Sequence, residues 1–512
     1  MKPHWQVLPL AVIFALLWAA VAWLSPAHAQ DGPSAAGNTR RGQAQNETAS
    51  AGILARRPLA LAGMDGPLMA EMGVLPVTAG PDTQGATAGY LSYRAENADA
   101  NRPVIFAFNG GPGAAAAFLH MGALGPVLAQ VPQDPAAAAP EEPVWLSGAA
   151  ELYRVADIVF IDPPGTGFSQ RPAGAGEAPY RSVSGDARAN AELVAAWLHR
   201  QERTDAPVYI LGESYGTIRA VAMLDALQEL GLGDRLRGVI LLGQALNMIE
   251  TSQRPDNMVT YPVSLPTLAA IACGHGRIAA PCDPQDAADA AARFGRETYL
   301  PALFMGRDLP ASERRRIAQR LEELSGISAQ FYLANDLRIS KERFRVELLR
   351  EQGQVTGRYD ARYTAPRSAD VTVMMGPDPA SVISDIYEKA MRDYLRVWLG
   401  IANADAYKVI SRFDQPWSYG GADSPFADWP FMQTVETHAA QNRCLRLFVG
   451  TGLYDLTTTV GAADYLFAQS NLPRDRWRNE VYGGGHVFYS DDASRTAFLS
   501  DLTGFVQDDP CR

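Results

Sequence analysis

At 512 residues, with 47% apolar and 20% charged residues, the chain has an ordinary globular composition and the length for one elaborated domain or two to three smaller ones. Its formal charge of −11 leaves no basic footprint and argues against nucleic acid as a partner. It contains neither H-E-x-x-H nor G-K-[ST], which removes the zinc-protease helix and the phosphate-binding P-loop from consideration.

The chain begins with Lys2 and His4, continues as an apolar run from Val7 to Leu24, and reaches Ala27-His28-Ala29. A cationic start, an apolar middle and a small-x-small end form a secretory signal, and cleavage is expected after Ala29. The competing reading is an uncleaved membrane anchor, for which the run is near the lower length limit. Export to the periplasm or the exterior implies an oxidising compartment, so Cys273, Cys282, Cys444 and Cys511 are expected to form disulfides. Four cysteines allow three pairings; a short loop from Cys273 to Cys282 and a tether from Cys444 to Cys511 is the favoured one. A metal site at Cys273, His275 and Cys282 lacks an evident fourth ligand, and neither metal nor cofactor is expected. Residues 30–60, rich in Gly, Ala, Ser, Gln and Asn, are expected to be a disordered leader. Asn46-Glu47-Thr48 within it is formally a glycosylation sequon.

Residues 61–250 alternate strand-like and helical segments. Gly89 to Arg94, Val104 to Phe108, Ile158 to Ile161, Val208 to Leu211 and Val239 to Leu242 are near-continuous apolar runs suited to a buried, mostly parallel sheet. Asp186 to Arg200 has helical character, and the layout is α/β. Residues 251–404 are charged and helix-prone, as in Ser312 to Leu324 and Ser340 to Glu351. Sheet character returns in residues 405–512 with Leu445 to Val449 and Trp477 to Tyr482. The pattern predicts a hydrolase sheet interrupted by a helical insertion that caps the site.

Gly212-Glu213-Ser214-Tyr215-Gly216 spells G-x-S-x-G between a strand and a helix, the context of a nucleophile elbow. A serine hydroxyl needs a histidine to take its proton and a carboxylate to orient that histidine. Only His275, His438 and His486 follow Ser214. His486 lies in Gly483-Gly484-Gly485-His486, directly after the last strand, where an α/β-hydrolase places its base. His438 reads as a surface residue and His275 falls in the insertion. Asp455 follows the penultimate strand and is the expected carboxylate; Asp464, the runner-up, falls in the next helix. Two backbone N–H groups must face the developing oxyanion. Tyr215 supplies one, and the loop Asn109-Gly110-Gly111-Pro112-Gly113, after the strand Val104 to Phe108, fits the place of the other.

These pieces, together with Asp162-Pro163-Pro164-Gly165-Thr166-Gly167-Phe168-Ser169, occur in the order and similar spacing of the serine carboxypeptidases, peptidase family S10, and the chain resembles a bacterial-type member. The resemblance implies an α/β-hydrolase fold, with Ser214 as nucleophile, His486 as base, Asp455 as its orienting partner, and Gly111 and Tyr215 as oxyanion donors. It also implies that Asn109 and Glu213 bind the terminal carboxylate of a peptide or protein substrate. In the family a second glutamate shares a proton with the one matching Glu213, because two adjacent carboxyls do not both ionise readily. Spacing places Ala123 at that position. His120 and Arg219 are near enough in sequence to replace the missing donor. Gly357-Arg358-Tyr359-Asp360-Ala361-Arg362-Tyr363 looks like a feature of bacterial relatives without an evident mechanism. The leading expectation is an exported serine carboxypeptidase without stable membrane association after signal cleavage. An esterase or acyltransferase using the same triad is the alternative, and a non-catalytic binding scaffold is disfavoured because no triad member is absent.

Overall fold

Near-continuous apolar runs must be covered on both faces, and here they pair side by side in one nine-stranded sheet. The computed structural model describes residues 52–96, 99–368, 377–420 and 430–511. In chain order the strands are β1 (Gly52–Leu59), β2 (Leu68–Val77), β3 (Ala86–Ala95), β4 (Val104–Phe108), β5 (Asp157–Asp162), β6 (Val208–Glu213), β7 (Leu236–Leu242), β8 (Arg446–Gly452) and β9 (Trp477–Tyr482). Every strand expected from the sequence overlaps one of these, with only Leu445 falling outside, one residue before β8.

The spatial order is β1-β2-β3-β5-β4-β6-β7-β8-β9. The first three strands and the β3–β5 junction are antiparallel, with Tyr90 opposite Ile161. From β5 to β9 all neighbours are parallel, with Phe106 opposite Ile210 and Val449 opposite Leu241. Successive strand residues point to opposite faces. Ile105, Tyr209, Leu211, Ile240 and Phe448 therefore build one core, and Phe106, Val208, Ile210, Val239 and Leu241 the other. Helices α1 (Val183–Arg200) and α2 (Tyr215–Glu229) cover the second face through Trp197 and Leu224. Ser182 caps α1 by accepting from the Gly185 N–H at 3.2 Å. This is an α/β-hydrolase fold with a mostly parallel sheet.

The insertion has its own apolar cluster, including Tyr261 and Leu268 of α3 (Thr260–Gly274), Tyr299, Leu321, Tyr332 and Phe344. Its helices at Ala311–Ser325 and Lys341–Glu347 match the expected helical stretches, the second ending earlier than expected. The boundary expected at 404 does not follow the packing. Helix α4 (Ser381–Val397) places Ile383, Tyr387, Met391 and Tyr394 in the sheet's first core, beside Tyr93 and Tyr489. Its apolar face, invisible in an overall charged composition, assigns this last part to the sheet.

The disordered leader expected through residue 60 also ends sooner, because β1 begins at Gly52. That strand is mostly exposed and carries Arg56, Arg57 and Pro58, so no apolar alternation announces it. Backbone pairing to β2 and an ion pair from Arg56 to buried Glu71 hold it in place. The signal segment with its cleavage point, residues 30–51 of the leader and the sequon at Asn46 lie outside the described residues. Among the described residues no helix is long and apolar enough to cross a membrane. Cys273–Cys282 and Cys444–Cys511 are the disulfides, each with Cα atoms 5.8 Å apart.

Candidate active site

In a parallel α/β sheet, ligands bind outside the carboxyl ends of the strands, where neighbouring connections diverge. The loops after β4, β6, β8 and β9 end there, and each carries one of the sequence-predicted residues. Ser214 joins β6 to α2 with φ 57° and ψ −127°. A non-glycine residue in that region costs about 1–3 kcal/mol and persists only where the surroundings impose it. Here its N–H is tied to Leu242 O at 2.9 Å while α2 begins at the next residue.

Asp455 follows β8 and is fully buried. Its Oδ2 lies 2.6 Å from His486 Nδ1 and accepts from Thr458 Oγ1 at 2.5 Å. Its Oδ1 accepts from Thr457 N at 2.6 Å. Both oxygens are therefore fixed before they meet the imidazole. Burial lowers the His486 pKa, but the Asp455 carboxylate, helped by Glu213, outweighs burial and leaves it above its ordinary value. His486 Cε1 lies 3.2 Å from where a Cβ on Gly243 would stand, and Gly243 directly follows the Leu242 carbonyl that anchors Ser214. The imidazole thus sits beside the elbow.

The Asn109–Gly113 loop crosses the start of α2. A Cβ on Gly110 would stand 2.5 Å from Tyr215 N, so only glycine permits this approach. Gly111 adopts φ +99°, a region open to glycine at little cost. Tyr215 opens α2, so its N–H has no intrahelical acceptor. The Tyr215 hydroxyl donates to Asp186 Oδ2 at 3.0 Å, and Arg219 Nε donates to the same oxygen at 2.7 Å. Fully buried Arg219 also donates from Nη1 to Asn109 O at 2.7 Å. The Asp186–Arg219 pair thereby joins the glycine loop to the residue after the elbow serine. Sequence reasoning missed this role, since neither residue belongs to a motif.

Glu213 is buried directly before Ser214, and its Oε2 accepts from the Tyr489 hydroxyl. Burial pushes its pKa up to about 7, against His486, Tyr489 and Asn109, which favour the ionised form. Asn109 Oδ1 accepts from Leu119 N at 3.1 Å, while its buried Nδ2 makes no hydrogen bond of good geometry yet lies close enough to Glu213 and Tyr489 to favour the ionised carboxyl. Ala123 is buried in a wide helical turn closed by Gly125 N donating to His120 O at 2.9 Å. The two replacement donors weighed from the sequence are each held by other groups, although His120 Nδ1 and Arg219 Nη2 are buried without a hydrogen-bond partner. His120 Nε2 lies 2.6 Å from the Tyr93 hydroxyl, with burial pushing its pKa down to about 3. Arg219 is committed to Asp186 and Asn109 O.

The Gly357–Tyr363 segment braces both loops of the site. Tyr359 O accepts from His486 N at 2.5 Å, and Arg358 O accepts from Leu456 N at 3.1 Å. Tyr454 O accepts from Ala361 N at 3.0 Å, and the Tyr359 ring lies 5.4 Å from the His486 ring. A Cβ on Gly485 would stand 2.4 Å from Tyr359 O, so the glycine run before His486 admits this segment. His275 reaches the same segment, Nε2 standing 2.7 Å from Ala361 O, while His438 pairs with Asp225 at 2.7 Å. Asp464 lies in the helix after β8, accepting from Asn479 Nδ2 at 2.9 Å. Among the described residues no group of three or more His, Cys, Asp or Glu side chains is placed to hold a metal.

Residues 75–227 match the family model for serine carboxypeptidases. Over that span the chain is similar to serine carboxypeptidases, and the span includes the Asn109–Gly113 loop and the Ser214 elbow. No curated protein matches the sequence. Among solved structures, the prohormone-processing carboxypeptidase Kex1 of Saccharomyces cerevisiae is similar at 12% identity, covering 85% of this chain and 91% of its own, with a TM-score of 0.47. Proline iminopeptidase of Mycobacterium smegmatis is similar at 13% identity, covering 88% and 97%, with a TM-score of 0.32.

Proposed function

We propose that this chain is an exported serine hydrolase, a carboxypeptidase that releases C-terminal residues from peptides or proteins through an acyl-enzyme. The observation that carries the reading is the 2.6 Å contact of His486 Nδ1 with fully buried Asp455, set beside the Ser214 elbow. With Asp455 accepting the Nδ1 proton, His486 Nε2 is left as the base. Ser214 Oγ adds to the scissile carbonyl as its proton passes to Nε2. The oxyanion meets the N–H groups of Gly111 and Tyr215, and collapse expels the amine as Nε2 returns the proton. Water then adds to the acyl-enzyme by the same route and frees Ser214. Each oxyanion donor is typically worth about 10²–10³ in kcat.

Exopeptidase preference is assigned to Asn109 and Glu213. Asn109 Nδ2 is a buried donor that makes no hydrogen bond of good geometry, and Glu213 with a pKa of about 7 is largely protonated in acid. Two disulfides support export, since such bonds persist in oxidising compartments. The insertion before α4 serves as a cap through its 261–349 cluster and the 357–363 brace.

One observation favours the second reading, an esterase or acyltransferase. Ala123 stands where the family's second glutamate is expected, so carboxylate recognition lacks one carboxyl. Turnover of a blocked dipeptide with a free C-terminal carboxylate, compared with its C-terminal amide, separates the two. Strong preference for the acid supports the carboxypeptidase; equal rates with efficient ester cleavage contradict it.

A further inference from the structure

Ala123 removes a carboxyl from the neighbourhood of Glu213, yet Glu213 is not left without a partner. Tyr489 lies three residues after His486, and its hydroxyl donates to Glu213 Oε2. Both side chains are buried. The ring of Tyr489 rests on the turn that holds Ala123: a Cβ on Gly122 would stand 2.5 Å from Tyr489 Cε2 and 2.9 Å from Tyr387 Cζ. Gly122, next to Ala123, therefore makes room for an aromatic ring that reaches the elbow glutamate from the opposite loop. Nearby, Asn109 Nδ2 is a buried donor that makes no hydrogen bond of good geometry, although it is close enough to Glu213 and Tyr489 to favour the ionised carboxyl, on the residue just before Gly110, which abuts Tyr215 N. A poorly satisfied buried N–H donor beside a carboxyl that can carry a proton suits an anionic ligand group.

We propose that Tyr489 is the positioning residue for Glu213: its phenol proton holds Oε2, so the proton that Glu213 carries sits on Oε1 and is donated to the substrate's terminal carboxylate. The inference rests on the carboxypeptidase reading and deepens it. A phenol is not a second carboxyl. In a carboxyl pair one proton is shared and each member opposes the other's ionisation. Here the tyrosine donates, and a hydrogen bond given to the charged form of Glu213 favours ionisation. Five groups face this carboxyl. Tyr489 and His486 come from the loop after β9, Asn109 from the loop after β4, Asp455 from the loop after β8, and Tyr387 from α4. Of these, His486, Tyr489 and Asn109 favour the ionised form and Asp455 opposes it. Tyr489 is the donor whose deletion leaves an isosteric ring.

The test follows the ratio of kcat/KM for the blocked dipeptide acid to that for its amide, between pH 5 and 9, in the full chain. In the wild type the ratio falls with a one-proton midpoint near the Glu213 value of about 7, because ionised Glu213 repels the substrate carboxylate. Tyr489→Phe moves that midpoint upward by about one pH unit, so that above both midpoints the variant's preference is about tenfold the wild type's. The change resides in KM for the acid. Glu213→Gln abolishes the midpoint, since an amide stays neutral throughout. If the phenylalanine variant does not accumulate as folded protein, difluorotyrosine incorporated at Tyr489, a stronger donor, moves the midpoint downward. Acid preference with a midpoint unmoved by either replacement overturns the role of Tyr489 and leaves the carboxypeptidase standing. Equal turnover of acid and amide at every pH in the wild type overturns both.

Discussion

Asp455→Asn isolates the link between geometry and rate. The carboxylate has two distinct demands upon it: Oδ2 faces His486 Nδ1 at 2.6 Å, and Oδ1 accepts from Thr457 N at 2.6 Å. An asparagine offers one acceptor and one donor. If its oxygen keeps Thr457 N, its NH2 faces Nδ1 and forces the tautomer with the proton on Nε2, which cannot take the serine proton. If its oxygen keeps Nδ1, the NH2 faces the Thr457 N–H and two donors oppose each other in a fully buried site. The shape is preserved in either case. The expected loss is about 10⁴-fold in kcat, or about 5.4 kcal/mol at 1.36 kcal/mol per decade. The assay is kcat for the blocked dipeptide acid at its pH optimum, with circular dichroism showing an unchanged fold. Activity within tenfold of wild type refutes the assignment of Asp455 as the orienting carboxylate.

Three further outcomes follow from the same contacts. Gly485→Ala places a Cβ 2.4 Å from Tyr359 O and displaces the base loop from its brace; kcat falls about 100-fold in steady-state assays, as an ångström of misplacement implies. Arg219→Met leaves Asp186 as an unpaired buried charge, costing about 3–5 kcal/mol, and lowers the melting temperature by about 3–5 °C in scanning calorimetry. For ester or amide substrates, kcat/KM rises with pH as His486 loses its proton, with a midpoint above the ordinary histidine value of about 6.5, because Asp455 and Glu213 outweigh burial. For free acids a second, descending limb follows as Glu213 ionises near its value of about 7, giving a narrow bell in the pH–rate profile.

The sheet and the candidate residues were legible because each is announced by local chemistry in a fixed order. Buried parallel strands require apolar runs, and the loops at their carboxyl ends carry Asn109, Ser214, Asp455 and His486. What escaped sequence reading is held by long-range contacts. Arg219 meets Asn109 O across 110 residues, and Tyr489 meets Glu213 across 276. Gly357–Tyr363 lies in the insertion by sequence, yet its carbonyls fasten the loops of Asp455 and His486. The β1 strand went unread for a different reason: an exposed edge strand needs backbone pairing and no apolar face. The absence of a glutamate at Ala123 was visible, while the aromatic ring that packs on neighbouring Gly122 and reaches Glu213 arrives from a different loop.

The central claim is that Ser214 is the nucleophile of this hydrolase. Mass-spectrometric mapping of the adduct formed by a fluorophosphonate probe on the full chain tests it most directly. One adduct is expected, on the peptide containing Ser214, absent in Ser214→Ala and strongly slowed in His486→Ala. An adduct on another residue, or labelling that survives Ser214→Ala, contradicts it.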